Sequence, residues 1–214
     1  MKGLILKDLL NLRKTIRTSL IIGIAYSIFF ASFDTSFIIG ILALMFTMQA
    51  LTTFSYDEFA KWDIYALSLP ISRKQLVLSK YIVSFILMIS GLLLSLAITS
   101  ILALLHGTFD FIELISGLFG FSIVMVFMLI TLIPLIYKFG IERGRIMIIG
   151  IFAIPTLIIL IIVKLLNGMN IALPSPEVIE MVLKIAPYFI VVLLAIFTYL
   201  SYRISIKIVS KKQY

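Results

Sequence analysis

The sequence predicts an all-α, polytopic membrane protein that forms a single transmembrane domain over residues 1–214. It should contain six transmembrane helices, an N-terminal amphipathic helix and a short cytoplasmic helix. Of the residues, 62% are hydrophobic and 13% are charged, about half the charged share of a soluble domain. The apolar residues form continuous runs of about 20, the length that crosses a bilayer as a helix. They lack the period-two alternation of membrane strands.

Six apolar runs are the candidate spans: 18–33, 36–56, 80–105, 111–137, 146–166 and 186–206. Sixteen of the 18 lysine and arginine residues fall before the first run, after the sixth or near its end, or in the second and fourth connections, counting Lys80 at the start of the third run. Basic residues are enriched on the cytoplasmic side of membrane proteins. Both termini are therefore predicted to be cytoplasmic, in a plasma membrane. The net charge of +8 is explained by this topology, so nucleic-acid binding is not predicted.

Residues 1–17 are predicted to form an amphipathic helix that lies in the membrane interface and leads into the first span. Lys7, Asp8, Asn11, Lys14, Thr15 and Thr18 recur at helical spacing on a polar face. Apolar residues occupy the other face: Ile5, Leu6, Leu9, Leu10, Leu12 and Ile16. The helix is interpreted either as a membrane anchor or as a contact for a partner.

The external segment 167–186 is predicted to contain a short helix on the outer leaflet. Ser175 can cap it, with Pro176 and Glu177 in the first turn. Apolar residues follow, which favours contact with lipid over a solvated loop.

A cytoplasmic loop, 57–79, separates the second and third spans. Its second half contains a helix start: Ser72 and Gln75 have capping-box spacing, and Ile71 and Leu76 match the hydrophobic staple. Pro70 stops any preceding helix. A helix is therefore predicted to begin at Arg73 and to continue into the third span.

The first half of this loop is predicted to be a helix over residues 57–67. Asp57 and Glu58 would lie at its N-terminus, and Asp57 would pair with Lys61. An apolar stripe runs along it: Phe59, Trp62, Ala66 and Leu69. This stripe could lie on lipid headgroups, pack on the protein's own spans or dock a soluble partner.

The stretch "DEFAKWDIYALSLPISRKQLVLSKY" resembles the first cytoplasmic loop of bacterial ABC-2 type transporter permeases. That loop has an acidic pair, a tryptophan, an "SLP-[IV]-SR" turn and a "KY" at the start of the third span. Here they are represented by Asp57, Glu58, Trp62, Ser68, Leu69, Pro70, Ser72, Arg73, Lys80 and Tyr81. In size and character the chain is most similar to small permeases that export antimicrobial or toxin peptides, such as the phenol-soluble-modulin exporters.

This resemblance implies that the short helix is a coupling helix, which inserts into a separate ATPase subunit. The implied coupling residues are Asp57, Glu58, Phe59, Trp62, Tyr65, Ala66, Leu69 and Arg73. It also implies two ATPase subunits, which would bind ATP and magnesium, and a second permease copy, in a homodimeric exporter. The sequence contains no G-x-x-x-x-G-K-[ST] phosphate loop. No cofactor or metal is predicted for this chain.

The polar side chains within the spans are mainly uncharged hydroxyls and one amide. Thr47, Gln49 and Thr53 are the candidates for lining a transport path, although Gln49 is equally suited to a hydrogen bond between helices. Because charge is nearly absent from the spans, an amphipathic peptide or a lipid-like compound is the predicted cargo rather than an ion. Ser84, Gly91, Ser95 and Thr99 form a small-residue stripe suited to close helix packing.

Two other classes of function fit the sequence less well. A membrane-embedded enzyme of the intramembrane-protease type would need paired carboxylates, a His–Glu metal motif or a Ser–His pair within the spans, and the sequence has none of these. An ATP-independent carrier or channel is disfavoured by the loop motif. His106 is interpreted as an interfacial residue, Asp110 and Glu113 as helix-start carboxylates, and the basic stretch 138–145 as a topological turn or a minor ATPase contact.

Overall fold

The computed structural model describes residues 1–30, 35–107, 109–168 and 176–211, and all the regular structure in these ranges is α-helical. In chain order the helices are α1 (Lys2–Phe29), α2 (Thr35–Phe59), α3 (Trp62–Ser68), α4 (Arg73–His106), α5 (Phe111–Phe139), α6 (Ile141–Gly168) and α7 (Pro176–Lys211). The predicted all-helical, polytopic class is confirmed.

Among the described residues, five helices are long and apolar enough to cross a membrane, whereas six spans were predicted. They are Phe37–Phe59, Arg73–His106, Phe111–Phe139, Ile141–Leu166 and Lys184–Lys211. The predicted first span lies in the second half of α1, which is continuous with the amphipathic segment. From residue 18 to the end of α1 the helix is about 18 Å long at 1.5 Å per residue, which is short for a span. Arg13, Lys14 and Arg17 precede this part.

Several neighbouring helices of the bundle run in opposite directions, whereas α2 and α5 run in the same direction, with Gly40 against Phe121 and Phe54 against Tyr137. Near its start α1 contacts the end of α2 through Lys7 and Asp57, whereas farther along Gly23 packs on Leu42. The same reversal relates α2 to α4 (Thr53 with Lys80, Phe46 with Gly91) and α4 to α7 (Arg73 with Ser210, Tyr81 with Ser201). The start of α1 and the end of α7 therefore lie at the same end of the bundle.

The core lies where α2, α4 and α5 meet. It includes Ala43, Val83, Leu87, Met128, Leu129, Leu132 and Ile133, each almost fully buried. By contrast, none of the most apolar stretch of α6 is buried within the described chain. This exposure suits a helix that is covered by lipid or by another chain.

The predicted helix over residues 57–67 is wrong in its boundaries. α2 continues through Asp57 and Glu58 to Phe59, and α3 begins only at Trp62. The break lies at Lys61, whose φ of 48° is left-handed. The two acids therefore lie at a helix C-terminus, which repels negative charge, and both find partners on other helices. Asp57 pairs with lysines from two of those helices and not with Lys61.

Two predicted helix starts are confirmed. Ser72 and Gln75 form a reciprocal capping box at the start of α4, with both hydrogen bonds 3.2 Å long. Asp110 caps α5 by accepting hydrogen bonds from the backbone N–H groups of Ile112 and Glu113. In the described part of the external segment, α7 begins at Pro176 and continues past Pro187 into the last span, so the helix there is not separate from that span. The Ser175 cap lies outside the described residues.

The small-residue stripe of α4 packs against other helices, as predicted: Ser84, Gly91, Ser95 and Thr99 are all buried. At Gly91 the approach of α2 leaves no room for a side chain. A Cβ atom placed there would lie 2.5 Å from the Cβ of Phe46 and 3.5 Å from the Cα of Ala43. Because these atoms are on or next to the backbone, a rotamer change cannot relieve the clash.

Gly91→Ala is therefore expected to lower the free energy of unfolding by about 1–3 kcal/mol, the usual cost of overpacking. The matched control is Gly120→Ala, since a Cβ at exposed Gly120 meets no atom within 4 Å. That change should be neutral or slightly stabilising because alanine favours helix. Unfolding of both purified variants in detergent, followed by circular dichroism, compares them. Equal stability of the two variants would contradict the close α2–α4 packing.

Candidate functional site

Most of the charged residues with defined partners meet at one end of the bundle, here called the charged end. It comprises the start of α1, the end of α2, α3, the start of α4, the α5–α6 joint and the end of α7. Arg73 at the start of α4 donates hydrogen bonds to the backbone oxygens of Val209 and Ser210, at 3.2 and 2.6 Å. These contacts place a guanidinium group at the C-terminus of α7, where positive charge is favoured.

Four side chains at the charged end form a closed ring of ion pairs, here called the ion-pair square. Lys7 lies 3.0 Å from Asp8 and 2.6 Å from Asp57. Lys80 lies 3.0 Å from Asp8 and 2.6 Å from Asp57. Each ammonium group thus bridges both carboxylates, and the two positive and two negative charges balance. The square joins α1, α2 and α4.

The ion-pair square is almost completely buried. The side chains of Asp8, Lys80 and Asp57 are 2%, 4% and 9% exposed, and only Lys7 reaches 22%. Among the described residues, Asp8, Asp57 and Lys80 are the charged residues classed as buried. Buried charges are costly unless they are paired, and the arrangement meets this requirement. The square was not predicted from the sequence.

This arrangement changes the interpretation of one residue on the predicted polar face of the N-terminal helix. Asp8 was assigned to that face, but it points into the bundle together with Leu4 and Leu12. Leu6 and Leu10, on the predicted apolar face, are 57% and 58% exposed within the protein, which is compatible with a face that contacts lipid. The sequence did contain one signal for a special role of Asp8, because it is the only acidic residue among the first 33.

Aromatic rings flank both lysines of the square. The Lys7 ammonium lies 4.2 Å from the ring centroid of Trp62, and the Lys80 ammonium lies 5.2 Å from that of Phe54. Lys80 also donates a hydrogen bond to the backbone oxygen of Thr53. Cations over ring faces are stabilised by the ring quadrupole, so these contacts extend the square to α3 and to the core.

Glu58 connects the end of α2 to the α5–α6 joint. Its Oε2 accepts a hydrogen bond of 3.0 Å from the backbone N–H of Ile141, the first residue of α6. This carboxylate therefore lies at a helix N-terminus, where negative charge is favoured. A single residue, Gly140 with a φ of 84°, separates α5 from α6. In the basic stretch 138–145, Arg145 donates a hydrogen bond to Ser55, which ties this turn to α2.

The eight implied coupling residues fall into three environments. Phe59 and Tyr65 are exposed, at 85% and 58%, and Glu58 is exposed apart from its contact with α6. Trp62, Leu69 and Arg73 are half-buried. Asp57 and Ala66 are buried within the chain, at 7% and 0% of the residue exposed. Among the side chains that the structure describes between residues 59 and 69, the exposed large apolar ones are Phe59, Ile64 and Tyr65, and the coupling role of the eight residues stays a prediction.

The three candidates for a transport path are buried between helices. Thr47 donates a hydrogen bond to the Ala43 carbonyl and Thr53 to the Ala50 carbonyl, both within α2. Gln49 donates a hydrogen bond of 2.6 Å to the Ser19 hydroxyl of α1. This contact matches the alternative role foreseen for Gln49, a hydrogen bond between helices. A path-lining role for these residues stays a prediction.

Two of the spaces at or near the charged end lie next to Lys80 or Tyr81. A cavity of about 270 Å³ borders the ion-pair square, lined by Phe54, Asp57, Glu58, Lys80, Ile136, Tyr137 and Gly140. An open groove of about 480 Å³ runs between α4 and α7, lined by Leu78, Tyr81, Ile82, Phe85, Ile86, Ile89, Ala195, Thr198, Tyr199 and Tyr202. In the described part of the chain no group of three or more His, Cys, Asp or Glu residues is arranged to hold a metal ion.

A family model described as an ABC-2 family transporter protein matches residues 3–210. The chain belongs to the ABC-2 transporter family. The match covers nearly the whole length and confirms the resemblance first read from the loop after the second span. No curated protein and no solved structure matches the chain significantly. Membership of the ABC-2 family agrees with a multi-pass membrane protein that serves as a transport subunit.

Proposed function

We propose that this ABC-2 family protein is the permease subunit of an ATP-driven exporter and that a separate ATPase subunit supplies the energy. The observation that carries the proposal is the family match over residues 3–210. The absence of a phosphate-loop motif from the sequence supports a partner that binds ATP and magnesium. On this proposal the chain is a transport subunit and not an enzyme. Two ATPase copies and a second permease copy complete the exporter.

α3 and the end of α2 are the proposed docking surface for the ATPase. Phe59, Ile64 and Tyr65 present exposed apolar side chains there, and large aromatic side chains are frequent hot spots of protein interfaces. The capped start of α4 follows α3 after four residues. Movement of α3 would therefore be passed directly to a long helix.

The charged end is proposed to be cytoplasmic, in a bacterial plasma membrane. The basic residues that predict the topology gather at this end, which also carries α3. A soluble ATPase that holds ATP must reach α3 from the cytoplasm. The orientation and the docking surface therefore support each other.

An amphipathic peptide or a lipid-like compound is the proposed cargo. Among the described residues, the buried charges are confined to the ion-pair square, where they are paired. An ion leaving water needs charged or densely polar partners, and the buried groups farther along the spans are hydroxyls and one amide. The groove between α4 and α7 is lined mainly by apolar and aromatic side chains, which suits a cargo with an apolar face.

The proposal can be tested by measuring ATPase binding, ATP hydrolysis and transport in membrane vesicles that contain the chain. The partner in this assay is an ATPase encoded by a neighbouring reading frame. The ATPase should bind inverted vesicles, which expose the cytoplasmic face, and not right-side-out vesicles. An amphipathic helical peptide should then stimulate ATP hydrolysis and be transported. Binding to right-side-out vesicles would overturn the orientation, and no binding would overturn the coupling. Stimulation by an ion but not by peptides would overturn the proposed cargo.

A further inference from the structure

We infer that Lys7 of α1 is the positioning residue for Trp62, and that through this contact the N-terminal helix holds α3 in place. The ammonium group of Lys7 lies 4.2 Å from the Trp62 ring centroid. The same ammonium is bound by Asp57 at 2.6 Å and by Asp8 at 3.0 Å. It therefore connects the ring to two fixed, buried carboxylates.

The internal interactions of α3 are too few to fix its position. It has seven residues, far fewer than the roughly 12–15 that make an isolated helix even marginally stable in water. Lys61, which precedes the first residue of α3, has a left-handed backbone conformation, and no side chain caps the helix. The described hydrogen bonds of α3 are local ones, such as that from Ser68 to the Tyr65 carbonyl.

Two contacts anchor the described side chains of α3 more firmly. Ala66 is fully buried, but its single methyl group has no directional preference. The contact between Lys7 and Trp62 is directional, because a cation is attracted to the face of the ring and not to its edge. Lys80, the other lysine of the square, lies over Phe54 of α2 and so cannot replace Lys7 at α3.

The carboxylates define where the ammonium group stands. Asp8 is 2% exposed and Asp57 is 9% exposed, so neither can follow a lysine that moves toward solvent. Lys7 is thereby held by its own helix and by α2 at once. The link between this contact and transport rests on the proposed function: if an ATPase displaces α3, the displacement reaches α1 through Lys7 as well as α4 through the chain.

The contact can be tested without any ATPase, because Trp62 is the only tryptophan in the chain. Its fluorescence in purified, lipid-reconstituted protein reports the environment of α3 directly. Lys7→Met removes the ammonium and keeps an apolar side chain of similar length. The fraction of chains with Trp62 displaced should rise about two- to five-fold, the ratio that corresponds to a cation–π contact near the surface. Acrylamide quenching should rise and anisotropy should fall accordingly.

Three further variants make the result specific. Lys7→Arg keeps a cation that also stacks on aromatic rings and should retain the wild-type quenching and anisotropy. Lys14→Met removes an exposed lysine of the same helix and should change neither. If Lys7→Met does not fold, Lys7→Met/Asp8→Asn removes one charge of each sign and leaves Lys80 paired with Asp57. This double variant should fold and still release Trp62.

The inference would be overturned if the folded Lys7→Met variant or the double variant showed the quenching and anisotropy of the wild type. It would also be overturned if Lys14→Met changed the quenching and anisotropy as much as Lys7→Met does. These results are distinct from a failure of the proposed function. That failure would appear as an absence of ATPase binding to the wild-type protein, while the fluorescence of Trp62 still responded to Lys7.

Discussion

Lys80→Met is expected to lower the free energy of unfolding by about 3–5 kcal/mol, the cost of breaking a buried ion pair by removing one partner. Lys80 is 4% exposed and bridges Asp8 and Asp57. Without it, two buried carboxylates share the single positive charge of Lys7. The variant also loses the hydrogen bond to the Thr53 carbonyl and the cation–π contact with Phe54.

Equilibrium unfolding of the purified protein in mixed detergent micelles measures this loss. Lys74→Met is the matched control, since Lys74 is an exposed lysine on the same helix, and a change within about 0.5 kcal/mol is expected there. Equal stability of the two variants would show that the ion-pair square does not form.

The origin of the loss is tested by a second substitution. Lys80→Met/Asp57→Asn leaves Lys7 paired with Asp8, so the remaining charges balance. The double variant should therefore be more stable than the sum of the two single losses predicts, by about 1 kcal/mol or more. Strict additivity would mean that packing of the lysine chain, and not charge, explains its effect.

Tyr65→Ala is expected to weaken binding of the ATPase by about 30-fold, the equivalent of about 2 kcal/mol for an aromatic hot spot. Tyr65 is 58% exposed on α3. Its removal should leave the free energy of unfolding nearly unchanged, because exposed side chains rarely contribute more than about 0.5 kcal/mol. Titration of the ATPase onto inverted vesicles, combined with the unfolding assay, separates the two effects.

Tyr199→Ala provides the control for the tyrosine substitution. Tyr199 is equally exposed, at 58%, but lies on α7 beside Arg203. The Tyr199→Ala variant should bind the ATPase as the wild type does. Tyr65→Phe, which keeps the aromatic ring, should retain most of the affinity. If Tyr65→Ala binds the ATPase as tightly as the wild type does, α3 is not the docking surface, even if an ATPase partner exists.

Local signals in the sequence predicted two helix starts correctly, those of α4 and α5. The capping box at Ser72 and Gln75 and the cap at Asp110 depend on residues two or three positions apart, so their spacing in the sequence determines their geometry. The small-residue stripe of α4 was also predictable, because helical periodicity alone places Ser84, Gly91, Ser95 and Thr99 on one face. The charges of Asp57 and Glu58 were misleading, since both acids suit a helix start but lie at a helix end.

What the sequence by itself determined is the class of the protein: an all-helical, multi-pass chain of the ABC-2 family, whose basic residues mark one end of its helices. Composition and apolar run length suffice for this, because the bilayer imposes helices on any chain so apolar. Only the tertiary structure decided which charges meet. Lys7 and Asp57 are 50 residues apart in sequence, and no local rule relates them. Their pairing follows from antiparallel packing of α1 on α2, which brings distant charges together out of water, where each must find a partner.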